Sequence, residues 1–138
     1  LIPALTAIAQ WSDTAHFGVF NIINLPVWLK CAITFLMLDY FNYAWHQLKH
    51  ELTFLWRFHE VHHFDHQMDI TTSGRFHIGE VVFEIFYHSV LILLTGVNPV
   101  IVLLYQLIFE IATQFHHSNI YIPGKLEKYL RKVIITPS

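Results

Sequence analysis

Three groups of histidines are spaced so that their imidazoles can share metal ions. His46 and His50 stand four residues apart, which on a helix puts both rings on one face, one turn apart. His59, His62 and His63 follow at i, i+3 and i+4 and again share a face. His116 and His117 form a third, adjacent pair. Imidazole suits zinc, copper, iron and nickel. A closed structural zinc site takes four ligands, so seven candidates favour two ions. Two adjacent redox metals with nitrogen ligands point to iron and to dioxygen activation. No nucleophile or acid–base constellation competes with that chemistry. A single HxxxH pair would be weak, because chance pairs occur on solvated helices; both boxes within one short stretch, plus a third pair, are hard to attribute to packing.

The remaining histidines carry less. Of the eleven in the chain, His16 and His88 read as structural and His66 as a loop residue, while His77 is a further candidate ligand or support. Ligating histidines usually donate their second N–H to a carboxylate or carbonyl, which fixes the tautomer. Asp39, Asn42, Glu60, Asp65 and Glu80 lie near enough in sequence to serve. Asp39, Tyr43 and His46 fall near one helical stripe at i, i+4 and i+7. Asp65 and Asp69 read equally well as a solvated loop.

The segments that carry these residues are greasy. The 138 residues are 54% hydrophobic and only 13% charged, with a mean hydropathy of +0.44. Soluble domains carry about 25% charged residues, and so short a chain cannot bury that much apolar surface in one globule. An integral membrane protein follows. The net charge of −2 gives no sign of a nucleic-acid partner, and the single cysteine, Cys31, excludes a disulfide framework.

Residues 1–25 are expected to hold the end of one helix and a surface loop. The run from Pro26 to about Trp45 is close to the ~20 residues of a membrane crossing. Asp39 and Asn42 inside it are suspects for a functional site. An amphipathic helix is expected from about Glu51 to His63, then a loop through Ser73 and Gly74. Ile78–Thr95 and Pro99–Phe115 are two further apolar runs, broken by a turn at Gly96–Pro99. A short basic amphipathic stretch, KLEKYLRK, follows. Crossing by crossing, this order returns His46, His50, His59, His62, His63, His77, His116 and His117 to one membrane side. Lys49, Arg57, Arg75, Lys125, Lys128, Arg131 and Lys132 lie there too, so the positive-inside rule puts the histidines at the cytoplasm. The fold class expected is therefore an all-α membrane helical bundle, in one domain, with a metal site at the cytosolic helix ends.

HQLKH (residues 46–50), HEVHH (59–63), the following FDHQMDITTSGRFHIGE, and QFHHSN ahead of IYIP resemble the fatty acid hydroxylase/sterol desaturase superfamily, particularly its bacterial members. The likeness runs from about Asp39 to the end. It implies two iron ions held by histidine boxes, with zinc as a possible substitute. It further implies O2-dependent hydroxylation or desaturation of a lipid, and an electron-donor protein of cytochrome b5 or ferredoxin type. Position by position, His46 and His50 match the first box, His59, His62 and His63 the second, and His117 the family's histidine before Ser or Ala and Asn. His116 fills a position that is often not histidine. His77 and Glu80 match an RxHPxE-like stretch, with Ile78 in place of the proline. The family also carries another HxxHH box shortly after a Thr-Pro, and the sequence stops at Thr136-Pro137-Ser138. A chain cut at both ends is the expectation, with incomplete metal binding and no turnover in this piece. The competing class is a metal-transporting or haem-binding membrane protein. A transporter places its ligands near mid-membrane on broken helices, and a bis-histidine haem site takes two opposed histidines within the bilayer, where only His88 lies.

Overall fold

A computed structural model describes residues 1–64 and 69–137. The expected roles of Asp65 and His66 fall outside the described residues. Within them, all regular structure is helical.

Two helices form the frame. α5 (Ile78–Thr95) and α6 (Pro99–His116) are each 18 residues long and apolar enough to cross a membrane. Local chemistry sets their ends. The His77 side chain caps α5 by accepting from the Gly79 N–H at 2.9 Å. Gly96 closes the helix in the left-handed conformation, φ 67°, with its N–H on the Ile92 carbonyl. Asn98 then caps α6 through the Val100 N–H, and Pro99 occupies the first turn, where a missing N–H costs nothing. Apolar side chains such as Val82, Phe86, Leu94, Val100, Ile108 and Ile111 point outward from both helices. Such a belt is what a lipid-facing surface offers, and water would disfavour it.

The N-terminal region does more than the sequence suggests. α1 (Ile2–Thr14) packs against both α5 and α6, burying Leu5, Ala9 and Ser12, which recur at i, i+4 and i+7. A four-residue helix, α2 (Val19–Ile22), follows against α5. Leu5, Ala9, Phe20, Ile92, Val97 and Val102 make a hydrophobic cluster at the turn end of the α5–α6 hairpin. Gly18 (φ 102°) and Gly96 touch there: a Cβ on Gly18 would come within 2.3 Å of the Gly96 nitrogen.

α3 (Val27–Glu51) is long enough to span, but Lys30, Asp39 and Asn42 dilute it. It reaches the apolar character of a span only together with residues 2–22, from which it is bent by 95°. Lys30 itself turns back to the Phe20 carbonyl at 2.6 Å. Leu52, in extended conformation, both ends α3 and starts α4 (Thr53–His63), two residues later than the sequence suggests. α3 packs on α4 and α6, and α4 on α5. Tyr87 joins α5 to α3, stacking on Trp45 at 4.5 Å and donating its hydroxyl to the Phe41 carbonyl. A 3-10 turn (Thr72–Gly74) precedes α5, and α7 (Gly124–Leu130) covers the basic stretch near the end.

Candidate metal centre

The last two turns of α3 carry His46, Lys49 and His50 on one face. The break at Leu52 lets α4 fold back so that its own histidine face meets them. The result is a group of four imidazoles, from His46, His50, His59 and His63, whose ligand nitrogens all lie within 4.8 Å of one another. Within it, His46 Nε2 and His50 Nε2 are 3.1 Å apart, and His59 Nε2 and His63 Nε2 are 3.2 Å apart. Two nitrogens bound to one tetrahedral ion at ~2.05 Å would be separated by about 3.3 Å. Both pairs therefore have a spacing that one metal ion could span. His59 is buried, while His46, His50 and His63 are open on one side.

A second pair adjoins the first group. His62 Nε2 and His117 Nε2 approach to 3.2 Å, although 55 residues separate them in sequence. The His62 ring lies parallel to that of His59 at 5.6 Å and to Phe76 at the same distance. His116 rests beside His117, with ring centres 4.6 Å apart, half-buried and outside both groups.

Two contacts orient imidazoles of these groups. The Thr113 carbonyl accepts from His117 Nδ1 at 2.8 Å, so Nδ1 carries a proton and Nε2 is the nitrogen turned toward His62. Glu80 Oε1 accepts from His59 Nδ1 at 2.7 Å, so that Nδ1 likewise carries a proton. A histidine whose far nitrogen is engaged in this way is fixed in tautomer and ring direction for metal binding. Burial, then repulsion from His117, His59 and His63, pushes His62 down to about 4. Burial and the neighbouring His59 and His50 also lower His63. Both rings are thus neutral near pH 7, the form that ligates. The donor set fits metal ions: it is nitrogen-rich and already at ligand spacing.

The other sequence candidates stand apart. His77 caps α5 and packs on Phe58, exposed. Asp39 lies two turns from His46 on an exposed part of α3, its charge close to Tyr105 of α6. His88 is buried on α5 with Nδ1 on the Glu84 carbonyl, and His16 is exposed at positive φ. Sequence reasoning misses one participant. Lys49, which reads there only as a surface cation, is buried against Glu80 at 2.8 Å. The signal is its place at i+3 from His46, on the histidine face rather than the outer one.

Two helices long and apolar enough to cross a membrane, with two convergent groups of imidazoles at one end that could hold metal ions, define the class: an all-helical, membrane-type bundle with a candidate metal site. The fatty acid hydroxylase family model matches residues 31–138, and the chain belongs to that family. Among characterised proteins it is similar to the ornithine lipid hydroxylase OlsE of Rhizobium tropici, 30% identical over 93 residues. That stretch covers 67% of this chain and 28% of the relative, so the chain spans little more than a quarter of that protein's length. No solved structure matches the chain.

Proposed function

We propose that this chain carries the metal centre of a membrane-bound di-iron oxygenase that hydroxylates a lipid. The observation that supports it most is the pairing of imidazoles at ligand spacing, four in one group and His62 with His117 beside them. His46, His50, His59 and His63 would hold one ion, and His62 and His117 contribute to a second. His116 is a reserve donor at its edge, and His77 and Asp39 act on helix ends and packing rather than on the metal. Two iron ions would supply the activation of O2 for insertion into an unactivated C–H bond. Zinc can occupy the same donors but brings no redox chemistry.

The chain's own residues do the rest. The imidazoles hold the ions at the helix ends, where a lipid entering between the apolar helices meets them. Glu80 and the Thr113 carbonyl keep the Nε2 lone pairs aimed inward. Trp56 and Phe76 stack on His63 and His62 and hold the planes of those rings. The family and the ornithine lipid hydroxylase both support a lipid as the substrate class. Desaturation is the alternative outcome at the same site. Electrons would come from a cytochrome b5 or ferredoxin type partner, reaching histidine boxes that face the cytoplasm.

The test is iron content per chain after anaerobic loading of the full-length protein in nanodiscs, followed by exposure to 18O2 with a lipid extract. About two irons per chain and label in a lipid hydroxyl are expected. An iron-loaded protein that leaves every lipid unlabelled defeats the hydroxylase reading, and a protein that takes up no iron defeats the metal centre as well.

A further inference from the structure

We propose that Lys49 is a positioning residue for the metal centre, acting on His59 through Glu80. The inference rests on the metal-centre reading above and assigns a role to a residue outside the histidine boxes.

Three buried groups converge on one oxygen atom. Glu80 Oε1 accepts from Lys49 Nζ at 2.8 Å and from His59 Nδ1 at 2.7 Å. Lys49 is 6% exposed, Glu80 2% and His59 1%. Lysine is almost never buried this far without a partner, and a carboxylate left alone at such a site costs several kcal/mol or more in lost hydration. The pair therefore has to form together. It also joins three elements, since Lys49 comes from α3, His59 from α4 and Glu80 from the first turn of α5.

The shared oxygen makes Lys49 more than a neutralising charge. The terminal torsion of a glutamate is broad and roughly two-fold, so one hydrogen bond from an imidazole does not fix the carboxylate plane. The second oxygen, Oε2, is buried with no hydrogen-bond partner among the described residues, and so supplies no other anchor. Trp45, Leu55, Phe58 and Phe83 wall the space around Glu80 and Lys49. The cavity there is ≈ 10 Å³, about one water molecule's worth, so bulk solvent cannot replace the ammonium. With Lys49 in place, Oε1 is held where it accepts from His59 Nδ1, and His59 Nε2 faces His63. Without it the carboxylate turns, and His59 is free to carry its proton on either nitrogen.

The test uses the full-length protein in nanodiscs, with Lys49→Met and Lys49→Arg, and two readouts. Nitrogen-15 NMR of the metal-free protein gives the His59 tautomer, and titration with Co(II), followed by its visible absorption, gives metal affinity. The wild type is expected to show a single His59 tautomer protonated on Nδ1. Lys49→Met should show both tautomers and bind Co(II) about tenfold more weakly, the scale of lost outer support at metal sites. Lys49→Arg, which keeps the charge, should restore most of both. A folded Lys49→Met protein with the wild-type tautomer and affinity, and only a lower melting temperature, overturns the proposal. Should Lys49→Met fail to fold, Lys49→Gln takes its place: mixed tautomers with weaker Co(II) binding support the proposal, and wild-type values of both overturn it. The tautomer is read without metal, so a wild type that binds no Co(II) defeats the metal-centre reading by itself and leaves the Lys49 effect separately measured.

Discussion

The two ends of the α5–α6 hairpin are built from opposite materials. At the turn end, Leu5, Ala9, Phe20, Ile92, Val97 and Val102 interlock, and Gly18 touches Gly96 because neither has a side chain. At the other end the buried residues include Lys49, His59, His62, Glu80 and His117. Apolar packing is favourable without help, whereas buried polar groups cost free energy until each has its partner. The turn end therefore holds the fold, and the histidine end draws on that stability to keep imidazoles close together. Stability and chemistry are thus separated along the helix axes, by roughly 27 Å for 18 residues.

Substitutions at either end put this division to the test. The largest effect is expected from His59→Ala, which removes the imidazole common to the four-residue group and the Glu80 contact. Metal affinity should fall about 100-fold or more, exceeding the loss seen when only an outer partner is removed. Circular dichroism should stay helical. A variant that keeps wild-type metal affinity contradicts the division at its chemical end. Next comes Gly18→Ala. Its new Cβ meets Gly96 backbone atoms at 2.3–2.4 Å, at a φ of +102° that alanine resists. A loss of about 3 kcal/mol is expected from denaturant titration, with metal uptake per folded chain unchanged. Metal loss in the folded fraction would show that the two ends are coupled.

The smallest effect comes from a matched pair of helix caps. Asn98→Ala and His77→Ala each remove a side chain that accepts a backbone N–H, and each should cost about 1 kcal/mol. Neither should alter metal content. A drop in metal for His77→Ala alone would bring His77 into the site.

Much of this arrangement is legible in the sequence because its breaks are chemically explicit. Gly96, Asn98 and Pro99 mark the turn, and the two apolar runs coincide with α5 and the body of α6. The i, i+3 and i+4 spacings give the shared histidine faces directly. The role of Leu52 is not legible, since leucine carries no signal for a helix break; only tertiary packing of α4 back onto α3 explains it. α1 hides for a similar reason. Its buried residues, Leu5, Ala9 and Ser12, are small or ordinary, and their helical stripe gains meaning only beside α5 and α6. Lys49 looks like one more surface cation until Glu80, 31 residues on, is seen facing it.

That ion pair also bears on how the molecule is assembled. α5 would enter the bilayer with Glu80, Glu84 and His88 at i, i+4 and i+8, a polar stripe along a helix otherwise suited to lipid. An isolated helix has nothing in hydrocarbon to satisfy a bare carboxylate. Lys49 on α3 supplies the matching charge, so the carboxylate is satisfied only where the two helices lie together. A single carboxylate oxygen thus ties the meeting of the two helices to the direction of the His59 ring, so fold and candidate site are joined at one atom.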